Sequence, residues 1–392
     1  MPFIRTPVLR ILCLALTALA VASCGTISRP GDGVIGFAPS ALVPVQGLRI
    51  PAGDAARVSA LSEQLDIRLS NADQPHAILA LSGGGANGAF GAGVLVGWSA
   101  AGDRPEFDVV TGVSTGALSA PFAFLGEDWD EELIAAYTRG QAREMLSWSQ
   151  LMALKSPSLF GASTLESLVR DNVTPELLAQ IATEHAKGRR LLVATTNLDT
   201  EETVIWDMGL LASQDGPEAL NLFRQVLIAS ASIPGIFPPV MIVGLDDHGQ
   251  IVAEMHVDGG VNTPFLAIPE ALLLDESEAR GVAALDLFIL VNGQIMPTRR
   301  TTRGDLPDIL ARTYDSMSKA SLRTSLIATA GVARRNQVVL RVAAIPAEIK
   351  AASLDFAPES MADLFDLGRT RGASGSAWAP LDQALSAQTD CR

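Results

Sequence analysis

Apolar runs alternate along this chain with segments in which apolar residues recur at helical spacing. Six short runs rich in Val, Ile and Leu have the length and composition of buried strands, at residues 76–81, 107–111, 190–196, 203–206, 251–257 and 285–291. Helical patterns lie between many of them, at residues 86–100, 115–125, 131–140, 174–187 and 218–229. Alternation of this kind predicts an α/β fold, a three-layer sandwich with a mainly parallel central sheet and helices on both faces.

The same patterns divide the chain into four parts. Residues 1–23 have the features of a signal peptide, and residues 24–74 form an N-terminal extension in which a Gly- and Pro-rich stretch up to residue 50 is typical of a tether. A short helix is predicted at residues 55–65. The catalytic core is expected at 75–275, and residues 276–392, with helices at 309–332 and 361–385, are expected to complete it.

The N-terminus indicates secretion. Arg5 and Arg10 precede an apolar run at residues 11–22 that is too short for a stable transmembrane anchor. The run ends in Val-Ala-Ser before Cys24, which resembles a bacterial lipobox, in which the cysteine receives a lipid and becomes the new N-terminus. An ordinary signal peptide with a chance cysteine is the alternative. The resemblance implies a membrane-anchored lipoprotein of the cell envelope, and Gly25 favours the outer membrane of a Gram-negative bacterium.

Composition and charge exclude several classes of protein. The 392 residues include 43 acidic and 29 basic side chains, a net charge of −14 without a basic run, which argues against a nucleic-acid partner. The three cysteines cannot form a disulfide-rich scaffold, and no spaced Cys and His cluster suggests zinc. Nothing in the sequence indicates a metal ion or an organic cofactor.

A glycine-rich turn follows the first strand of the predicted core. Residues 83–88 read GGGANG and open a helix, so their backbone N–H groups can collect at a helix N-terminus and bind negative charge. The motif taken alone fits an oxyanion hole, a dinucleotide site or a packing turn. A phosphate-binding P-loop is excluded because no Lys-Ser or Lys-Thr follows. Asp108 has the spacing of a ribose-binding acid but lies at the wrong end of its strand.

A second turn has the context of a nucleophile elbow. The sequence GVSTG at residues 112–116 lies between a strand and a helix, which is where such an elbow presents its serine above the sheet. Ser114 is therefore the candidate nucleophile. A serine-capped strand–helix turn is the structural alternative.

A third turn supplies the candidate base, which a serine nucleophile requires. Asp258 ends a predicted strand and is followed by two glycines, and His256 should face the same side of that strand. The other histidines, His76, His185 and His248, are predicted to lie at the surface.

Taken in this order, the three turns resemble the patatin-like phospholipase family. Residues 80–82 and 229–239 also look like it, and the likeness covers residues 75–275. The resemblance implies that Ser114 is the nucleophile and that Asp258 is its only partner, in a dyad without histidine. It implies an oxyanion hole built from the backbone of Gly83, Gly84, Gly85 and Ala86. Supporting roles fall to Gly88, Gly112, Gly116, Gly259 and Gly260.

The sequence departs from the family at Asn87, because many members have Arg or Lys at this position. Loss of a cation there weakens the case for recognition of a phosphate headgroup more than the case for ester hydrolysis. Five apolar residues are candidates for an acyl pocket, although such positions more often belong to the core: Phe90, Phe122, Phe124, Ile236 and Phe237.

These features predict a lipid-acyl ester hydrolase that forms an acyl-enzyme on phospholipid or another acyl ester. An acyltransferase with the same nucleophile is an alternative that the sequence does not separate. A non-catalytic envelope-binding lipoprotein is a second alternative. A histidine-dependent hydrolase, with Asp199 as the acid and His256 as the base, is a third.

Overall fold

The structure is a computed structural model that describes residues 29–31, 33–36, 47–69, 75–138, 162–214, 216–269 and 285–386. The predicted signal peptide, the predicted lipidation site Cys24 and the C-terminal Cys391 lie outside these residues. None of the helices within the described ranges combines the length and hydrophobicity needed to cross a bilayer.

The described strands form one sheet. They are β1 (Arg49–Pro51), β2 (His76–Leu81), β3 (Val109–Val113), β4 (Arg190–Asn197), β5 (Glu202–Asp207), β6 (Val240–Leu245), β7 (Ile251–Asp258), β8 (Leu285–Val291) and β9 (Val339–Ala344). The order is β1-β5-β4-β3-β2-β8-β9, and the β6–β7 hairpin joins the sheet through β7 and β4. Strands β4, β3, β2, β8 and β9 run parallel to one another, whereas β1, β5, β6 and β7 pair antiparallel.

Helices cover both faces of this sheet. The α-helices of the described residues are α1 (Ala55–Leu69), α2 (Gly88–Ala101), α3 (Thr115–Leu125), α4 (Asp130–Thr138), α5 (Ala162–Asn172), α6 (Pro175–Ala186), α7 (Met208–Ala212), α8 (Pro217–Ser230), α9 (Leu306–Arg335), α10 (Pro358–Ala373) and α11 (Leu381–Ser386).

The layers follow from the alternation of side chains along each strand. Leu79 and Leu81 of β2 point into the larger core, where α2 to α8 and α10 pack. On the opposite face Val109 and Val113 of β3 pack against α1, and Leu287 of β8 packs in a cluster with α9 and α11. The predicted α/β three-layer sandwich is therefore confirmed, with its parallel strands at the centre of the sheet.

Every predicted strand and helix is present, and most ends agree within two residues. The elements that the pattern did not predict are β1, β6, β9, α5 and α7. The three strands lie at edges of the sheet or of the β6–β7 hairpin, where half-exposed positions weaken the apolar signal. Helix α7 has only five residues, too few for a helical period to be recognised.

Part of the predicted tether is packed against the body, which corrects that prediction for residues 33–36 and 47–51. The Ile35 side chain is buried, and its N–H donates to Glu254 Oε1 at 2.6 Å. Gly36 N–H donates to Leu245 O at 2.7 Å, and β1 pairs with β5. Apolar side chains spaced between the glycines and prolines fill gaps along the sheet, so the segment is held by burial despite its loop-like composition.

Helices α2 and α10 pack in backbone contact through glycines on both sides. A Cβ at Gly93 or Gly97 would lie 2.1 Å from a carbonyl oxygen of α10, and one at Gly368 or Gly372 would lie 2.1 or 2.3 Å from a carbonyl oxygen of α2. Because no side chain fits between the two backbones, these four positions require glycine. The contact fixes α2, the helix that begins at the glycine-rich turn.

This packing predicts that Gly368→Ala destabilises the fold by about 1–3 kcal/mol, because the added methyl group forces α2 and α10 apart. Thermal and denaturant unfolding would measure it. The control is Gly331→Ala in α9, where a Cβ meets nothing within 4 Å. There helix propensity alone should stabilise by about 0.5–1 kcal/mol. Equal effects of the two substitutions would contradict the predicted contact.

Candidate active site

Ser114 lies in a sharp turn between β3 and α3. Its backbone has φ 56° and ψ −127°, a left-handed conformation that a side chain other than glycine adopts at a cost of about 1–3 kcal/mol. Gly112 and Gly116 permit the turn, since a Cβ at either position would lie within 2.6 Å of neighbouring backbone. This is the predicted elbow geometry. It places the serine at the N-terminus of α3, where the helix dipole favours negative charge.

Ser230, at the end of α8, stabilises the elbow through two hydrogen bonds. Its Oγ accepts a hydrogen bond from Ser114 N–H at 3.0 Å and donates to Ala194 O at 2.7 Å. The hydroxyl therefore links the strained turn to strand β4. It satisfies a buried amide that the turn leaves without a partner in β3.

Asp258 reaches Ser114 because β7 occupies the sheet position just beyond the end of β3. Val113, the last residue of β3, pairs with Ala194, and Asp258 pairs with the next residue of β4, Thr195. The two strands run in opposite directions along the same edge of β4, and their C-terminal ends meet there. Ser114 Oγ donates to Asp258 Oδ2 at 2.6 Å.

The other contacts of Asp258 fix its orientation. Its Oδ1 accepts from Gly260 N–H at 2.7 Å, and its own N–H donates to Ser232 O at 3.0 Å. Gly259 must be glycine, because a Cβ there would lie 2.4 Å from Ala194 O. The carboxylate is therefore held with one oxygen on backbone and the other on the serine.

Burial raises the pKa of Asp258 to about 7, although the hydrogen bonds from Ser114 and Gly260 favour the charged form and oppose the increase. Only 1% of the residue is exposed. A carboxyl group with a pKa near neutrality is a far better proton acceptor than an ordinary aspartate, whose pKa is about 4.

The glycine-rich turn runs directly beside the serine. A Cβ at Gly83 would lie 3.1 Å from the Cβ of Ser114. Gly83 N–H donates to Pro264 O at 3.1 Å, and Ala86 N–H donates to Ser353 O at 2.9 Å. Among the described residues, the N–H groups of Gly84 and Gly85 have no acceptor. Of the four N–H groups predicted to form an oxyanion hole, these two therefore remain available to a ligand.

Two segments from the C-terminal part of the chain pack against this turn. A Cβ at Gly84 would lie 1.9 Å from Asn292 O, and one at Gly85 would lie 2.1 Å from Ser353 O. Gly85 also has φ +57°, which favours glycine. The close walls explain why the turn contains successive glycines, and they keep its backbone in place.

Asn87 lies at the N-terminus of α2 and is 3% exposed. Its Oδ1 has no hydrogen-bond partner among the described residues. A buried amide carries no charge, so Asn87 cannot replace the cation that many family members carry. Gly88 lies beside it, where a Cβ would lie 2.1 Å from Thr115 Oγ1.

A cavity with about 670 Å³ of empty volume, including its open mouth, begins at Gly85, Ala86 and Thr115. Most of its lining is apolar and comes from α3, α5, α8, α10 and the segment before α10: Leu118, Phe122, Leu168, Val169, Val173, Leu227, Met361 and Phe356. Such a lining suits a hydrocarbon chain. Of the five predicted pocket residues only Phe122 lines the cavity, and the other four pack in or against the core.

Tyr137 is the main polar group in the cavity wall. Its hydroxyl lies 2.9 Å from Thr115 Oγ1 and 2.8 Å from Ser119 Oγ, and it donates to Thr115 O at 3.2 Å. Burial raises the pKa of Tyr137, so the phenol stays neutral. It braces the first turn of α3, the helix that follows the serine.

His256 is buried, and its hydrogen-bond partners among the described residues do not include Ser114. Its Nδ1 lies 2.9 Å from Thr195 Oγ1 and its Nε2 lies 3.0 Å from Glu254 Oε2, so both ring nitrogens are engaged. Burial lowers the pKa of His256. Glu254 in turn accepts from Arg49 Nη2 at 2.6 Å. The histidine thus belongs to a structural cluster that links β7 to the N-terminal segment.

The remaining histidines follow the surface prediction only in part. His248 is exposed, as predicted. His185 is half-buried, with Nδ1 3.7 Å from Asp207. The prediction is wrong for His76, which is buried. Its Nδ1 lies 3.0 Å from Asp108 Oδ2, a polar partner that allows the ring to leave the surface. Asp199, the alternative acid, accepts from Arg29 and from Met255 N–H. Within the described part of the chain, His256 makes its hydrogen bonds to Thr195 and Glu254 and not to Asp199.

Sequence reasoning missed several residues that build the site. Ser230 and Ser232 lie in the stretch 229–239 that carries part of the family resemblance, but no role was assigned to them. Asn292 follows a predicted strand at the same sheet edge, which was a signal for its position. Ser353 and Tyr137 carry no local motif, so only the fold reveals them.

Residues 79–269 match the family described as Patatin-like phospholipase. The predicted family resemblance is confirmed for this part of the chain, and the match supports lipid acyl hydrolysis as the general class of activity. No curated protein sequence matches the chain. Among solved structures, VipD from Legionella pneumophila is similar at 16% sequence identity over 77% of this chain and 67% of that chain, with a TM-score of 0.35.

The raised pKa of Asp258 predicts that ionisation of this residue lowers the free energy of unfolding. Folded Asp258 titrates near pH 7 and unfolded aspartate near 4, so its contribution is fully present below about pH 4 and is lost as the pH rises through 7. Asp258→Asn should therefore raise the free energy of unfolding by about 1–4 kcal/mol at about pH 8. Near pH 4 the gain should vanish. Unfolding measured at both pH values tests this, and a gain independent of pH would contradict it.

Proposed function

We propose that this protein is a lipid-acyl ester hydrolase in which Ser114 and Asp258 form a catalytic dyad. The observation that carries the proposal is the 2.6 Å hydrogen bond from Ser114 Oγ to a buried carboxylate whose pKa is about 7. The adjoining apolar cavity and the family match favour a lipid acyl chain as the substrate.

In the first half of the reaction Asp258 accepts the Ser114 proton while Oγ attacks the ester carbonyl carbon. The carbonyl electron pair moves to oxygen. When the tetrahedral intermediate collapses, the ester C–O bond breaks and the leaving alcohol takes the proton from Asp258. An acyl group then remains on Ser114.

Water completes the cycle. Asp258 accepts a proton from the water as its oxygen attacks the acyl-enzyme, and the second intermediate collapses to release the fatty acid. Ser114 regains its proton from Asp258. One carboxylate serves as base and then as acid in each half, for which a pKa near the working pH is best suited.

Gly84 and Gly85 are the proposed donors to the oxyanion. Their N–H groups lack other acceptors among the described residues, and the turn that holds them is fixed by Asn292 and Ser353. A preorganised donor of this kind typically stabilises the transition state by about 3 kcal/mol. The N-terminus of α3 adds a favourable dipole.

We also propose that the protein acts at the cell envelope, held by a lipid on Cys24. The support is the sequence: a cationic start, a short apolar run and the lipobox-like residues that precede Cys24. An anchored hydrolase would have its substrate in the adjoining bilayer, with the outer membrane favoured by Gly25.

The test is covalent labelling with a fluorophosphonate probe, with the label located by mass spectrometry. We expect label on Ser114, loss of at least about 100-fold in labelling rate in Asp258→Asn, and little change in His256→Gln. The rate should rise with pH through a midpoint near 7 in the unaltered protein and in His256→Gln. An unlabelled Ser114 in folded protein, or a midpoint lost with His256, would refute the dyad.

The cavity predicts a preference for long acyl chains. A bulky side chain placed in the cavity wall should remove this preference. Leu168→Trp should reduce hydrolysis of long-chain esters by about tenfold while butyrate esters react as before, because only a long chain reaches α5. Leu220→Trp, which places the same side chain outside the cavity, serves as the control. Equal losses on short and long esters would show that the chain does not lie there.

A further inference from the structure

The first three turns of α9 present large apolar side chains to solvent, whereas later residues such as Leu322 and Leu326 pack on the sheet. Large apolar residues along its first three turns are strongly exposed, among them Leu306, Ile309, Leu310, Tyr314 and Met317, and Met317 is 67% exposed. At 100° per residue these five positions fall within one arc of about 140°. They form an apolar stripe on the outer face of the helix, interrupted only by Thr313 within this arc.

The charged side chains of the same helix between Leu306 and Arg323 point the other way. Lys319 donates to Thr298 Oγ1 at 3.0 Å and its side chain is only 15% exposed, and Arg323 donates to Ile295 O at 3.2 Å. Asp308 accepts from Arg300 at 3.1 Å. A surface helix of a soluble domain normally has the reverse arrangement. The inverted pattern indicates that the outer face meets an apolar environment.

The stripe lies near the catalytic residues. Lys319 and Arg323 of α9 donate to Thr298 and Ile295, in the segment that follows β8. Asn292, at the start of that segment, packs against Gly84 beside Ser114. The first turns of α9 therefore lie at the sheet edge where the parallel strands end, the edge that carries Ser114.

The charge around the stripe differs from that of the whole protein. Between Arg299 and Arg323 the chain has six basic and three acidic side chains, in a protein whose net charge is −14. Of these cations, Arg299, Arg300 and Arg303 precede the first turn and are exposed. Arg300 also pairs with Asp308, and the Arg303 side chain, which is 78% exposed, lies 3.4 Å from Asp305. An apolar face flanked by arginines is complementary to a phospholipid surface, where apolar side chains enter the acyl region and cations meet the phosphates.

We propose that the outer face of α9 binds the surface of a phospholipid bilayer and brings Ser114 to the lipid. The proposal rests on the proposed function, since it assigns the surface from which that site takes its substrate. Docking by this face is separate from the predicted anchor at Cys24, because it sets the orientation of the protein and not only its attachment.

The test compares two full-chain variants that add the same charge. Leu310→Glu with Met317→Glu changes the stripe, and Ala179→Glu with Ala362→Glu changes exposed positions on α6 and α10. Each is assayed on a soluble butyrate ester and on vesicles of phosphatidylethanolamine with a minor share of phosphatidylglycerol. We expect unchanged hydrolysis of the soluble ester in both, and a loss of about tenfold or more on vesicles in the stripe variant alone.

A second measurement does not depend on activity. An environment-sensitive fluorophore is placed on a cysteine at Met317 or, as control, at Ala179, in full-length protein with Cys391→Ser, and protein without the new cysteine gives the background. The emission should shift to the blue on addition of vesicles only for the label at 317. If the soluble ester is not hydrolysed, the proposed function fails while this measurement still decides the docking.

Three results would overturn the docking proposal. One is vesicle hydrolysis at the unaltered rate in the stripe variant. Another is an emission maximum of the label at 317 that does not change when vesicles are added, as expected if a further segment of the chain already covers this face. The third is an emission shift that follows protein concentration without lipid, which sedimentation would assign to a second copy of the chain.

Discussion

Everything in this site depends on keeping one carboxyl group out of water. Asp258 lies at the end of a strand that occupies the sheet position beyond β3, so the backbone hydrogen bonds of the sheet themselves carry it into the interior. Burial raises the pKa of its carboxyl group to about 7, and only one serine and one backbone amide remain to share the charge. In the proposed mechanism, this burial gives Asp258 the basicity that an aspartate ordinarily lacks.

The geometry around this pair is held by backbone more than by side chains. The elbow of Ser114, the turn at Gly84 and Gly85, and Gly259 all lie so close to neighbouring main chain that a single methyl group would collide. Behind the turn, α2 is packed on α10 through glycines from both helices. Contacts of this kind cannot be adjusted by a change of rotamer, so the donors of the proposed oxyanion hole are fixed before substrate arrives.

The sequence allowed the fold class and the proposed dyad to be predicted because both depend on local signals. Strands and helices show their periods. Ser114 follows a strand and lies between Gly112 and Gly116, and Asp258 ends a strand and precedes two glycines. Other features depend on residues that are distant in the chain. Ser230 supports the elbow across 116 residues, and the burial of His76 depends on its contact with Asp108. The cavity lining comes from several helices, and no period in α9 reveals which of its faces meets the body.

The docked N-terminal segment sets a limit on reach. Arg29 is held at Asp199 and at Ala253 O, and the backbone beyond it continues along the β6–β7 hairpin to Gly36. Only four residues lie between positions 24 and 29, and even a fully extended chain spans only about 17 Å over those five Cα–Cα steps. An attachment at residue 24 would therefore keep Arg29, and with it this side of the β6–β7 hairpin, within about 17 Å of the attachment point.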